Sequence, residues 1–281
     1  MYQQMLTKIR LNGQSESTLS NYGRSIAKMS LYFGCTPLEV PDEKINDYLL
    51  LLRDTQQPSL SYFKHTVYGL RYAFRLAGRE DRAIRLPSIK RMKDLPVVLS
   101  REECRRLFRA PRLLKHRILL CLAYSAGLRI SELVKLRQAD IDFDRMQIHI
   151  RRSKYNKDRY VPLSTYMAQG LNKYYHACQP REWVFNGKQS GQPITTRAVQ
   201  WVMRTGLKAA GISKSASLHT LRHSYATHLL EDGLDLYSIQ NLLGHEHVST
   251  TLVYLHVAQT LPQRAHSPFD TLYPDRDATQ V

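Results

Sequence analysis

The sequence is short of acidic side chains and of cysteine, and it has no long apolar run. Only 24 Asp and Glu stand against 41 Lys and Arg in 281 residues, a formal net charge of +17 with a pI near 9.8. That imbalance, spread along the whole chain, points to a polyanionic partner, nucleic acid first. The competing reading is a solvated basic surface that only keeps the chain in solution. The 4 cysteines, Cys35, Cys104, Cys121 and Cys178, lie far apart. Their spacing excludes a short-spaced zinc motif and a disulfide framework, and fits a reducing compartment. No uninterrupted apolar stretch approaches bilayer length, and Met1–Leu6 lacks the basic-then-apolar layout of a signal peptide. The expectation is a cytoplasmic protein with no membrane partner.

The length suits two domains, each with its own core. Helical periodicity covers the first third: Ser17 as the cap of a segment to Phe33, a second from Asp42 to Arg53, and a third from Ser59 to Ala77 before Gly78. In the third, Lys64, Arg71 and Arg75 interleave with Tyr62, Tyr68, Tyr72 and Phe74, as on a helix packed on one side and facing phosphate on the other; an aromatic core face with an ordinary charged exterior fits equally. The stretch around residues 88–97 combines charge with proline and no helical period, as a linker does. The expected division is a helical domain over 1–87, a linker over 88–97, a second domain over 98–258 and a tail over 259–281. Ser100-Arg101-Glu102-Glu103 matches a capping box that opens the second domain. Helical signal runs over Arg117–Ala126. Alternation in Met146–Ile150 and Arg159–Leu163, around a turn-like Lys154–Asp158, then predicts a β-hairpin. Helices return from Thr195: Thr220–Leu230, Leu236–Leu243 before Gly244, and a short one near Thr250–His256. The fold class is mainly α, with a small antiparallel sheet in the second domain.

Several of these segments carry chemistry. A glycine turn leads from Gly127 into Arg129 and Glu132, with Ser131 as a cap; alone, Arg129 reads as the structural partner of Glu132. His219 and Arg222 at i, i+3 share a helix face, placing a proton carrier beside a forked cation. His219 and His223 at i, i+4 also have the spacing of metal ligands, with His245-Glu246-His247 near. The missing metalloprotease glutamate and the basic neighbours speak against metal. Gly244 ends a helix and exposes His245. Nine positions later Tyr254 stands behind Ser249-Thr250-Thr251, which can cap a short helix; by itself this tyrosine reads as a core residue.

Taken together and in this order, Gly127–Leu133, His219–His223, Leu242–His245 and Tyr254 resemble the signature of the tyrosine recombinase (phage integrase) family. The resemblance is specific over residues 97–258. Residues 1–87 resemble the family's SAM-like core-binding domain in size, helicity and position. It implies a site-specific recombinase using Arg129, Lys154, His219, Arg222, His245 and Tyr254, with Glu132 behind them; Lys157 competes for the lysine role. It further implies metal-free strand exchange through a 3′-phosphotyrosine, with no cofactor. The partners it implies are double-stranded DNA bearing recombination sites and a homotetramer on two duplexes, with room for accessory DNA-bending proteins. Metal-free phosphoryl transfer needs cationic donors for the non-bridging oxygens, and tyrosine, with an ordinary pKa of about 10, needs a base or a cationic surround. Two alternatives stay open: a type IB topoisomerase with a similar site, and a DNA-binding protein without catalysis.

Overall fold

A computed structural model describes residues 2–12, 16–54, 60–87, 95–151, 158–189 and 191–258. Lys154 and Lys157, most of the expected linker and the expected tail lie outside them. The chain divides into two compact units, residues 1–93 and 94–281.

Among the described residues the first unit holds five helices: α1 (Tyr2–Leu11), α2 (Glu16–Phe33), α3 (Asp42–Asp54), α4 (Leu60–Leu76) and α5 (Glu80–Arg85). α2 starts one residue ahead of Ser17, so Ser17 lies in its first turn and is not its cap. α1 and α5 have no counterpart in the sequence reading; each is short, and tertiary packing rather than periodicity holds it. α4 is central, with Val67, Leu70, Ala73 and Phe74 fully buried against Met29, Ile45, Leu49 and Ile26 from α2 and α3. Close approach of α2 depends on Gly69, where a Cβ would stand 3.3 Å from the Tyr22 Cα.

The second unit comprises α6 (Arg101–Arg109), α7 (Leu114–Ser125), α8 (Ile130–Val134), α9 (Thr165–Cys178), α10 (Thr196–Ala209), α11 (Leu218–Glu231), α12 (Leu236–Leu243), α13 (Val248–Thr251) and a 3-10 helix over Leu252–His256. Strands β1 (Ile141–Asp142), β2 (Gln147–Ile150) and β3 (Arg159–Pro162) form an antiparallel sheet in the order β1-β2-β3. The capping box at α6 is present: Glu103 N donates to Ser100 Oγ at 3.1 Å and Ser100 N to the Glu103 carboxylate at 2.7 Å. α7 lies at the heart of the core with Leu119, Leu120, Leu122 and Ala123 fully buried, packed by Leu171, Val199 and Leu221 from α9, α10 and α11. It begins three residues before Arg117, and α11 begins two before Thr220. In the sheet, Ile148 pairs with Val161 and Ile150 with Arg159, so Arg159 shares a face with buried isoleucines. No helix among the described residues is long and apolar enough to cross a membrane.

Candidate active site

Three helix ends and one strand meet at the site. Gly127 makes the turn after α7 with φ +56°, and a Cβ there would stand 2.6 Å from the Tyr225 ring. Glycine is thus required twice, for the left-handed backbone and for the close approach. The turn delivers Arg129 to the N-terminus of α8. Glu132, not Ser131, answers the exposed amides there: its carboxylate accepts the Arg129 backbone N–H at 2.9 Å and the guanidinium Nη1 at 2.7 Å. Ser131 falls inside the helix, a correction to the expected cap.

Glu132 has a side chain only 4% exposed and also receives a two-pronged hydrogen bond from Arg159, Nη1 to Oε1 and Nη2 to Oε2, each 2.8 Å. Arg222 Nη1 lies 3.9 Å from the same carboxylate. Burial would raise the Glu132 carboxyl, but the Arg159 fork and then Arg129 overcome it and hold it at about 2. Arg222 is fully buried. Burial, then Arg129, draws its guanidinium down to about 9, so it keeps its charge at neutral pH.

The C-terminal end of α12 grips all three arginines. Arg159 Nε donates to Leu242 O at 2.8 Å, Arg222 Nη2 to Leu243 O at 2.5 Å and Arg129 Nη2 to Gly244 O at 3.3 Å. A helix leaves its last carbonyls unpaired and carries partial negative charge there, so the end of α12 suits cations. Gly244, at φ +62°, terminates the helix and turns out His245. Arg222 Nη1 donates to Gly127 O at 2.7 Å, joining this end to the Gly127 turn, while its buried Nε has no partner among the described residues.

Arg129, His219, Arg222 and His245 line one cavity of about 230 Å³, together with Gly244, Glu246, His247 and Thr250. The imidazoles are held neutral at pH 7. Burial, then Arg222 and Arg129, lowers His219; the same causes bring His245 to about 3. His245 Nδ1 meets the Thr251 hydroxyl at 3.0 Å, which fixes the ring and leaves its other nitrogen for a ligand. Among the described residues no group of three His, Cys, Asp or Glu is placed to hold a metal ion.

Tyr254 is 1% exposed and packs with Tyr225, Ala226, Ile239 and Leu243. Its hydroxyl is 3.1 Å from His223 Nδ1, and its ring lies nearly parallel to that of His245, centroids 6.3 Å apart. His223, rather than His219, is therefore the imidazole that meets the tyrosine hydroxyl; His219 stands one ring further off, at 4.5 Å from His223. Burial, then His219 and Arg222, lowers His223 to about 4, which keeps it neutral at pH 7. Burial raises Tyr254 while Arg222 and Arg129 pull it back, leaving a net rise. The helix before the tyrosine starts at Val248 with His247 at its N-cap, so Ser249, Thr250 and Thr251 lie within it, and Thr251 turns inward to His245. Arg159, His223 and Thr251 are site residues to which the sequence assigns no part in the reaction: His223 is weighed there only as a metal ligand and Thr251 only as part of a helix cap. A signal existed for Arg159, which occupies the inward register of Arg159-Tyr160-Val161-Pro162-Leu163.

In the first unit Lys64 is half-buried and Arg75 exposed on α4. Arg71 is engaged internally, donating to Ala83 O at 3.1 Å and Leu86 O at 3.2 Å.

Comparison with known proteins places this arrangement in a class. The family model described as "Phage integrase family" matches residues 97–260. A putative integrase/recombinase y4qK of Sinorhizobium fredii is 35% identical over 96% of this chain and 88% of its own. The tyrosine recombinase XerA of Thermococcus kodakarensis is 39% identical over 68% of this chain and 69% of its own. A lambda integrase tetramer bound to a Holliday junction shares the fold, with TM-score 0.72 at 22% identity over 88% of this chain and 74% of that one. The chain belongs to the phage integrase family of tyrosine site-specific recombinases.

Proposed function

We propose that the chain cuts and rejoins double-stranded DNA at specific recombination sites by transesterification, with Tyr254 as nucleophile. The observation that carries this reading is the shared cavity of Arg129, Arg222, His219 and His245, with Tyr254 packed against His245. A phosphodiester entering that cavity meets two guanidinium forks and two imidazoles, which neutralise charge building on the non-bridging oxygens. The Tyr254 oxygen attacks phosphorus as an imidazole takes its proton. His223 holds the hydroxyl in this structure, and His219 is one ring away. The bond to the 5′-oxygen breaks, Lys154 protonates the leaving oxygen, and a 3′-phosphotyrosine stores the bond energy. A partner strand's 5′-hydroxyl then displaces Tyr254, with no cofactor.

The lambda integrase relative is a tetramer on a Holliday junction. We carry over to this chain a homotetramer joining two duplexes in the cytoplasm, with accessory DNA-bending proteins as further partners. Lys64 and Arg75 on α4 supply phosphate contacts from the first unit, with Arg71 a lesser contributor because its guanidinium already holds three carbonyls.

A nicked suicide duplex tests the assignment. The natural enzyme should accumulate covalent protein–DNA complex and Tyr254→Phe none; equal trapping by the variant sinks the nucleophile. On a substrate with sulfur at the 5′ bridging position, which leaves without a proton donor, Lys154→Ala should regain cleavage and Lys157→Ala should show no such rescue.

A further inference from the structure

We infer that Arg159 is a positioning residue for strand cleavage: its fork saturates Glu132, so that Arg129 and Arg222 keep donors free for the phosphate. This rests on the reading of Arg129 and Arg222 as the phosphate clamp.

A carboxylate offers about four lone-pair sites, and on Glu132 all four are filled. Oε1 accepts Arg159 Nη1 at 2.8 Å and Arg129 Nη1 at 2.7 Å; Oε2 accepts Arg159 Nη2 at 2.8 Å and the Arg129 amide at 2.9 Å. Arg159 meets the carboxylate end-on through both Nη atoms, a bidentate charge-assisted pairing of the strong kind. Arg129 is thereby limited to one side-chain bond, and its Nη2 stays at the cavity with only a 3.3 Å bond to Gly244 O. Arg222 is kept at 3.9 Å. Without Arg159 two acceptor sites open within reach of both, and a guanidinium forked to Glu132 is lost to the substrate.

Charge leads to the same assignment. Arg159 and Glu132 cancel, leaving the two positive charges of Arg129 and Arg222 for a phosphoryl centre whose oxygens gain negative charge as the tyrosine attacks. Arg159 also ties β3 to α12 through Leu242 O, and its Cδ would lie 3.1 Å from a Cβ at Gly244. It therefore joins the strand leading out of the lysine hairpin to the elements that carry Arg129 and His245. Its side chain is 8% exposed, and each of its three nitrogens already donates within the protein, Nη1 and Nη2 to Glu132 and Nε to Leu242 O.

The experiment measures single-turnover covalent complex formation on the suicide duplex over a range of DNA concentrations for Arg159→Gln, Arg159→Lys, Glu132→Gln and the double variant Glu132→Gln/Arg159→Gln. Arg159→Gln should slow cleavage at saturating DNA by roughly 10- to 100-fold, the usual effect of removing an outer partner of a site. The half-saturating DNA concentration should stay within about threefold, because the lost interaction belongs to the transition state. Arg159→Lys, which keeps the charge and loses the fork, should fall between. The double variant should be no slower than the slower single one, because both act through one pair. Cleavage by Arg159→Gln at the natural rate overturns the inference, as does a loss seen only in DNA affinity or two losses that multiply. If Arg159→Gln does not fold, Arg159→Lys decides: slowed cleavage supports the role and the natural rate overturns it. Tyr254→Phe run in parallel separates the two readings, since trapping by that variant removes the nucleophile whatever Arg159 does.

Discussion

A carboxylate as enclosed as Glu132 would ordinarily be driven toward its protonated form, and here the Arg159 fork and then Arg129 reverse that tendency. The same geometry makes the residue structurally indispensable. Glu132→Gln leaves Arg159 and Arg222 buried beside a neutral amide, and breaking a buried ion pair by removing one partner costs about 3–5 kcal/mol. Urea unfolding of the variant should show a loss of that order; a loss below about 1 kcal/mol, the value of an exposed pair, would mean the cluster is open to water. Arg129 and Glu132 are legible in the sequence because they are three positions apart on one helix start. Arg159 lies 27 positions from Glu132, and only the register of β3 against β2 turns it inward. His223 was legible as a histidine in the right helix, but which of two imidazoles touches Tyr254 depends on how the 3-10 helix packs on α11, and no spacing encodes that.

At the scale of elements, local chemistry reads well where it is satisfied locally. The Ser100 capping box and the Gly244 terminus follow from residues within one turn, and both are found where the sequence places them. α8 and α13 start where tertiary demands override the nearest hydroxyl: Glu132 is drawn to the arginines and Thr251 to His245. The Gly127 turn is the most constrained of these connections. Gly127→Ala meets both a left-handed backbone and the Tyr225 ring, whereas Gly211, at φ +64°, has nothing within 4 Å of a Cβ. Gly211→Ala should cost only the backbone strain, about 1–2 kcal/mol. Gly127→Ala should add an overpacking cost of about 1–3 kcal/mol and displace the carbonyl that Arg222 holds. Equal melting temperatures for the two variants would refute the close packing.

Across the whole molecule, the positive charge evident from composition has a counterpart inside, where His219, His223 and His245 are all held below the ordinary imidazole value. Groups buried neutral bind protons more readily once unfolded, so between pH 6.5 and about 3 the unfolded chain carries more protons and stability falls as pH falls. Both tryptophans, Trp183 and Trp201, lie in the second unit, so their fluorescence reports on the unit that holds the site. Urea midpoints followed this way should drop steadily from pH 7.5 to pH 5, and His245→Gln should flatten the slope. An unchanged slope in that variant would show that His245 is protonated in the fold.

One consequence concerns the freedom of α12 to change length. Its Leu242, Leu243 and Gly244 carbonyls each hold a different arginine. One added residue near that end rotates everything beyond it by about 100° and advances it by about 1.5 Å, which would release all three guanidinium groups at once. At the other end Asp235 serves only as a side-chain cap. Insertions and deletions should therefore be tolerated at the Asp235 end and rejected at the Gly244 end, so α12 behaves as a ruler read from its last residue.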